Sequence, residues 1–312
     1  TNRDNIYKFW QQGAKRHKNL ESLFTLGIRG QEDEPMSEGD NIELLQQIVA
    51  DQRQILQETF NDRPIASVPQ VWALYKEVQG FYERGMRVPD DVTLLWADDN
   101  FGNIRRLPTK AERNRSGGAG VYYHFDYVGA PRSYRWINTV PLAKIWQQMS
   151  LAWQYQADRI WIVNVGDLKP MELPTDFFLR MAWNPDAFNA DNLQQFTTDW
   201  TAQQFGAAQA PAIASLLQTY TAHNGRRKPE AIEPGSYSIL HYAEAERIST
   251  ELAQAEALAD KVQQQLTAQL QDAYVQLVAH PLKASRAVFE LNRAVAMNQL
   301  HAQQGRASTN YW

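Results

Sequence analysis

The sequence contains no cysteine, which excludes disulfides, thiolate metal sites and a cysteine nucleophile without assigning a compartment. It contains no apolar run of about eighteen residues, so no segment is expected to span a membrane. It has no excess of basic charge either. Its 31 Lys and Arg stand against 35 Asp and Glu, a formal net charge of −4 that argues against a dedicated nucleic-acid binder. No Gly-x-Gly-x-x-Gly follows a strand-like run, and Ser116-Gly117-Gly118-Ala119-Gly120 precedes such a run instead of opening a helix, so a dinucleotide fingerprint is absent. Thr1 to Trp10 holds neither an initiator methionine nor a basic-then-apolar signal, and the chain is expected to begin inside a longer polypeptide.

What is present is an ordinary globular composition, 44% hydrophobic and 21% charged over 312 residues, long enough for about two domains. Continuous apolar runs rich in β-branched and aromatic residues occur at Leu23 to Ile28, Gln70 to Tyr75, Val92 to Ala97, Gly120 to Phe125 and Arg159 to Asn164. Each is bounded by turn residues and reads as a buried strand. Glu38 to Phe60 and Pro141 to Gln156 carry apolar residues at helical spacing. This alternation implies parallel pairing in an α/β layer architecture. From about Asp186 the texture turns to Ala, Gln and Leu with helical periodicity over Ser238 to His280 and Leu282 to Gln304, and Pro211, Pro229, Pro234 and Pro281 read as helix ends. The expected organisation is residues 1–185 as a partial (β/α)8 barrel followed by an all-α bundle over 186–312.

Polar residues favour a barrel over an open sheet. Each run ends in a polar cluster: Arg29 with Glu32, Asp33 and Glu34; Lys76 with Glu77; Asp98, Asp99 and Asn100; His124 with Asp126; Asn164 with Asp167. A barrel gathers every C-terminal strand end at one mouth, whereas an open sheet gathers only those beside its switch point.

Two carboxylates facing a sugar-sized gap suit acid–base glycoside hydrolysis, and Glu77 and Asp33 are the candidates, although a single loop carboxylate is more often solvated or paired with Lys or Arg. Arg29 suits an anionic substrate group, because a guanidinium grips a carboxylate with two parallel hydrogen bonds; its bland role is to hold Asp33. Asp98, His124 and Asp126 admit a metal-assisted alternative, and a non-catalytic carbohydrate-binding module is a second. Trp72, Trp96 and Trp161 read as core, and Trp136 as a surface for sugar stacking. Arg105, Arg106, Lys110, Arg113 and Arg115 read as a solvated helix face.

These stretches carry a resemblance. Leu26-Gly27-Ile28-Arg29-Gly30 with Asp33-Glu34, Val71-Trp72-Ala73-Leu74-Tyr75-Lys76-Glu77-Val78-Gln79, Leu95-Trp96-Ala97-Asp98-Asp99-Asn100-Phe101-Gly102-Asn103 and Tyr122-Tyr123-His124-Phe125-Asp126-Tyr127-Val128-Gly129 resemble glycoside hydrolase family 115, the xylan α-1,2-glucuronidases. The resemblance implies inverting hydrolysis releasing glucuronic acid or its 4-O-methyl ether from xylan. It implies Glu77 as general acid and Asp33 as general base, roles that are interchangeable at this stage, and Arg29 on the uronate carboxylate. Asn100 and His124 would position the sugar, with Asp99 and Trp136 beside them. No cofactor or metal is implied. The expected partner is glucuronoxylan or its oligosaccharides, with no nucleic acid or membrane; a homodimer is left open, and a secreted or periplasmic location is expected. Polypeptides of that family are longer. With five βα units visible where a closed barrel needs eight, the first strand is expected to present an unpaired apolar edge. The 312 residues alone are expected not to be a self-sufficient enzyme.

Overall fold

A computed structural model describes residues 2–30, 41–99, 101–126 and 138–312. Asp33, Asn100 and Trp136 therefore lie outside the described residues. The chain divides into two compact units, residues 1–124 with 148–163, and residues 125–147 with 164–312.

The first unit opens with helix α1 (Asn2–Arg16) and continues through β1 (Phe24–Leu26), α2 (Ile42–Thr59), β2 (Gln70–Leu74), α3 (Glu77–Glu83), β3 (Thr93–Ala97) and β4 (Ala119–His124). After α4 (Leu142–Gln154), the strand β5 (Trp161–Asn164) completes a five-stranded sheet in the order β1-β2-β3-β4-β5. The expected strands thus form, each within about a residue or two of the apolar run that announced it, and β1 through β4 pair in parallel. β2, β3 and β4 are buried almost throughout. A strand covered on both faces has no polar side to alternate with, which explains the continuous apolar runs. Each strand pairs with its successor, so the described sheet has no reversal of order, and β1 to β4 deliver their C-terminal ends to one edge.

Register places Leu26 beside Trp72, Trp72 beside Leu94, Leu74 beside Trp96 and Trp96 beside Val121. Trp72 and Trp96 are fully buried, and the Tyr82 ring of α3 lies 6.0 Å from Trp72 and 5.6 Å, edge-on, from Trp96. Trp161 is half-buried and donates its indole N–H to Ala157 O at 2.7 Å. Gly120 is required by close approach: a Cβ there would stand 2.2 Å from the carbonyl oxygen of Ile160. That bare backbone lets Val121 N–H donate to the same carbonyl at 2.9 Å and dock β5 on β4.

In the basic stretch after β3, Arg105 and Lys110 are exposed as its charge suggested, but Arg106, Arg113 and Arg115 are not a solvated helix face. Arg106 lies over the Trp96 ring at 4.6 Å and donates to Glu112 at 2.8 Å, while Arg115 donates to Asp90 at 2.7 Å and to the carbonyl of Pro89. Arg113 lies over Tyr155. Long basic side chains pack their stems on apolar surface while their heads find acceptors, so charge density alone misread them. Glu112 is pushed up by burial, but hydrogen bonds from Thr109, Arg106 and Tyr82 outweigh this and hold its carboxyl at about 2.

The second unit is helical among the described residues. It holds α5 (Glu172–Trp183), α6 (Leu193–Phe205), α7 (Ala210–Arg226), α8 (Glu244–Gln265), α9 (Ala268–Tyr274) and α10 (His280–Gln303). Trp200, Leu217, Tyr220, Leu252, Tyr274, Leu282 and Phe289 belong to its core. Pro281 does not end a helix as expected. A π-helical turn over Val275–Ala279 joins α9 to α10, with Pro281 in the first turn of α10. The wider turn accommodates both the missing N–H and the ring, which would otherwise clash with the carbonyl four residues earlier. Inside this unit His223 is 2% exposed, stacked on Tyr237 at 6.0 Å and edge-on to Phe289, with neither ring nitrogen hydrogen-bonded among the described residues.

Candidate active site

The chain leaving β1 turns at Gly27, whose φ of 107° suits glycine. Gln52 of α2 clamps this turn from both sides: its carboxamide oxygen accepts from Gly27 N–H at 2.7 Å and its NH2 donates to Gly27 O at 3.1 Å. The clamp sets the direction in which Arg29 leaves the strand. At the end of β2 the backbone turns sharply at Lys76, φ 48°, so that Glu77 becomes the first residue of α3.

Arg29 and Glu77 meet there. Arg29 Nε donates to Glu77 Oε1 at 3.1 Å and Nη2 to Oε2 at 3.0 Å, the two-pronged geometry that suits a guanidinium and a carboxylate. The pair is mostly shielded, with the side chains 19% and 23% exposed. The guanidinium also lies 5.1 Å from the centre of the Tyr75 ring.

The ends of β3 and β4 add a second pair. Buried Asp98 accepts from the backbone N–H of His124 at 3.0 Å and faces His124 Nδ1 at 2.6 Å. A carboxylate only accepts, so Nδ1 is the donor, and ring orientation and tautomer are fixed together. Tyr75 joins the two pairs. Its ring stacks on His124 at 5.6 Å and 25°, and Tyr122 lies 4.3 Å from His124. Ala97, opposite Tyr122 in register, is small enough for Tyr75 and Tyr122 to approach to 6.3 Å. Burial pushes the Tyr75 hydroxyl up, Arg29 opposing, so the ring is a neutral platform. Glu77, Arg29, Tyr75, His124 and Asp98 thus form one continuous cluster at the C-terminal edge of four adjacent strands.

Asp99 is engaged locally. Oδ1 accepts from the N–H groups of Phe101 and Asn103 at 2.8 and 2.9 Å, and Oδ2 accepts from Asn103 Nδ2 at 2.9 Å. It thereby fixes the backbone at Phe101 and Asn103. Asp126 belongs to the other unit. Among the described residues no three His, Asp or Glu side chains are grouped to hold a metal ion; Asp98 and His124 bind each other instead. The pairing of Arg29 with Glu77, and the parts of Tyr75 and Gln52, were not anticipated. Tyr75 was visible as the last residue of its run, on the same face as Ala73 by strand alternation. Nothing local in the sequence links Gln52 to Gly27.

The profile of Glycosyl hydrolase family 115 matches residues 1–231. Among solved structures, the chain is similar to a GH115 4-O-methyl-α-glucuronidase described as specific for decorated arabinogalactans, at 32% sequence identity and a TM-score of 0.83. The match covers 96% of this chain and 41% of that one, so the chain spans less than half the length of this relative. No curated protein matches the chain.

Proposed function

We propose that this chain, which belongs to glycosyl hydrolase family 115, supplies the proton donor, the uronate clamp and the sugar-positioning groups of an α-glucuronidase. The observation that carries the reading is the meeting of Arg29 and Glu77 from neighbouring strands, at 3.0 Å, within ring contact of the His124–Asp98 pair. In this reading the sheet is the C-terminal part of a (β/α)8 barrel over residues 1–185, with a helical bundle over 186–312; the sequential parallel order supports it, since a doubly wound sheet would reverse.

The substrate is an α-linked glucuronic acid or 4-O-methylglucuronic acid on a plant polysaccharide. Arg29 binds the uronate carboxylate through its planar fork. Glu77 protonates the glycosidic oxygen, and Asp33 directs a water to the opposite face of the sugar, giving inversion. His124, oriented by Asp98, and Asn100 hydrogen-bond ring hydroxyls, and Trp136 stacks on the glycan. The polymer is α-1,2-substituted xylan in the first reading. The relative's specificity for decorated arabinogalactans supports that polymer as the second.

The test is ¹H NMR of the full-length protein acting on glucuronoxylan and on glucuronate-decorated arabinogalactan. The reading expects free uronate that appears first as the β-anomer. Absence of uronate from both polymers refutes it, and an initial α-anomer refutes inversion alone.

A further inference from the structure

We infer that the Arg29–Glu77 fork is an exchangeable contact that the uronate carboxylate replaces, so that substrate binding itself frees the acid. The inference rests on the reading that Arg29 receives the uronate and Glu77 donates the proton. With Nε on Oε1 at 3.1 Å and Nη2 on Oε2 at 3.0 Å, both Glu77 oxygens are acceptors, and neither has a proton to give. A carboxylate that seats on this Nε–Nη2 edge displaces Glu77, since one edge does not hold two forks, whereas one on the opposite Nη1–Nη2 edge would leave the fork closed and take up no proton.

The surroundings suit a change of partner. Tyr75 lies 5.1 Å from the guanidinium, a ring contact that does not depend on which anion is bound. Lys76 Nζ lies 5.2 Å from the same ring, Arg105 donates to Lys76 O at 3.4 Å, and His124 and Asp98 are committed to each other at 2.6 Å. In the exchange the uronate anion takes the Arg29 edge, and Glu77 takes one proton from solvent, becoming the neutral acid that catalysis requires. Charge balances, because an incoming anion is matched by an incoming proton. A neutral hexose brings no anion and leaves Glu77 paired. The fork therefore selects uronates at the chemical step as well as in binding.

The test is calorimetric titration of the full-length protein with D-glucuronate, at mildly acidic pH, in buffers of different ionisation enthalpy. The wild type should take up about one proton per uronate bound. Glu77→Gln should take up none and bind at least about tenfold tighter, because the competing charge is gone. Arg29→Lys, which keeps the charge but loses the fork, should bind more weakly and show less proton uptake. Circular dichroism verifies that each variant is folded. Equal proton counts in wild type and Glu77→Gln, or unchanged or weaker binding by Glu77→Gln, overturn the exchange while leaving the glucuronidase reading intact. A wild type that neither binds uronate nor releases it from polymer overturns both.

Discussion

Lowering the pH from 7 to 4 should destabilise the helical unit through His223. Burial pushes this imidazole down to about 4, with Arg226 adding to the effect, and among the described residues no group accepts from or donates to its ring. The unfolded chain binds a proton at a His pKa of about 6.5 while the folded chain does not until about 4. Between those values the unfolded state carries more protons, so stability falls as the pH falls. The stabilisation is fully present above about 6.5 and gone below about 4, and the gap corresponds to about 3 kcal/mol. His223→Phe keeps a flat ring between Tyr237 and Phe289 and sacrifices no hydrogen bond. Urea unfolding of wild type and variant, followed by far-UV circular dichroism from pH 7 to pH 4, should give curves that diverge by about 3 kcal/mol in favour of the variant at the acid end. Parallel curves would refute the argument, since they would mean that His223 is as easily protonated folded as unfolded.

Arg106→Gln should cost about 1–3 kcal/mol near neutrality. The difference from wild type should shrink as the pH falls from about 4.5 toward 2, because Glu112 is depressed and its contribution exists only while it is ionised; denaturant titrations at several pH values measure it. Gly120→Ala should destabilise by more than about 2 kcal/mol in the same assay, since the added Cβ meets the Ile160 carbonyl at 2.2 Å. Asp98→Asn should lower kcat for uronate release at least about tenfold with an unchanged circular-dichroism spectrum, because His124 loses the group that fixes its tautomer.

Much of this architecture was legible in the sequence for one reason: buried parallel strands are continuous apolar runs, and β2, β3 and β4 are such strands. Polar residues directly after those runs had to lie at strand ends, which is where Arg29, Glu77, Asp98 and His124 are. What was not legible depended on distance in sequence. The Arg29–Glu77 fork joins residues 48 apart, and the Gln52 clamp on Gly27 spans 25. The misread basic stretch has the same origin, since the aromatic faces that receive Arg106 belong to Trp96 of β3 and Tyr82 of α3. Pro281 misled because a proline is tolerated in the first turn of a helix, and the π-turn over Val275–Ala279 lets α9 run on into the first turn of α10 where it sits.

The most direct test of the central claim is the rate at which the full-length protein and its Glu77→Gln variant release glucuronate from polysaccharide under identical conditions. Loss of a general acid costs on the order of 10² to 10⁴ in rate, so the account predicts a loss of that size with the circular-dichroism spectrum unchanged. A folded Glu77→Gln protein that releases glucuronate at the wild-type rate would contradict it and remove the proton-donor role from this cluster.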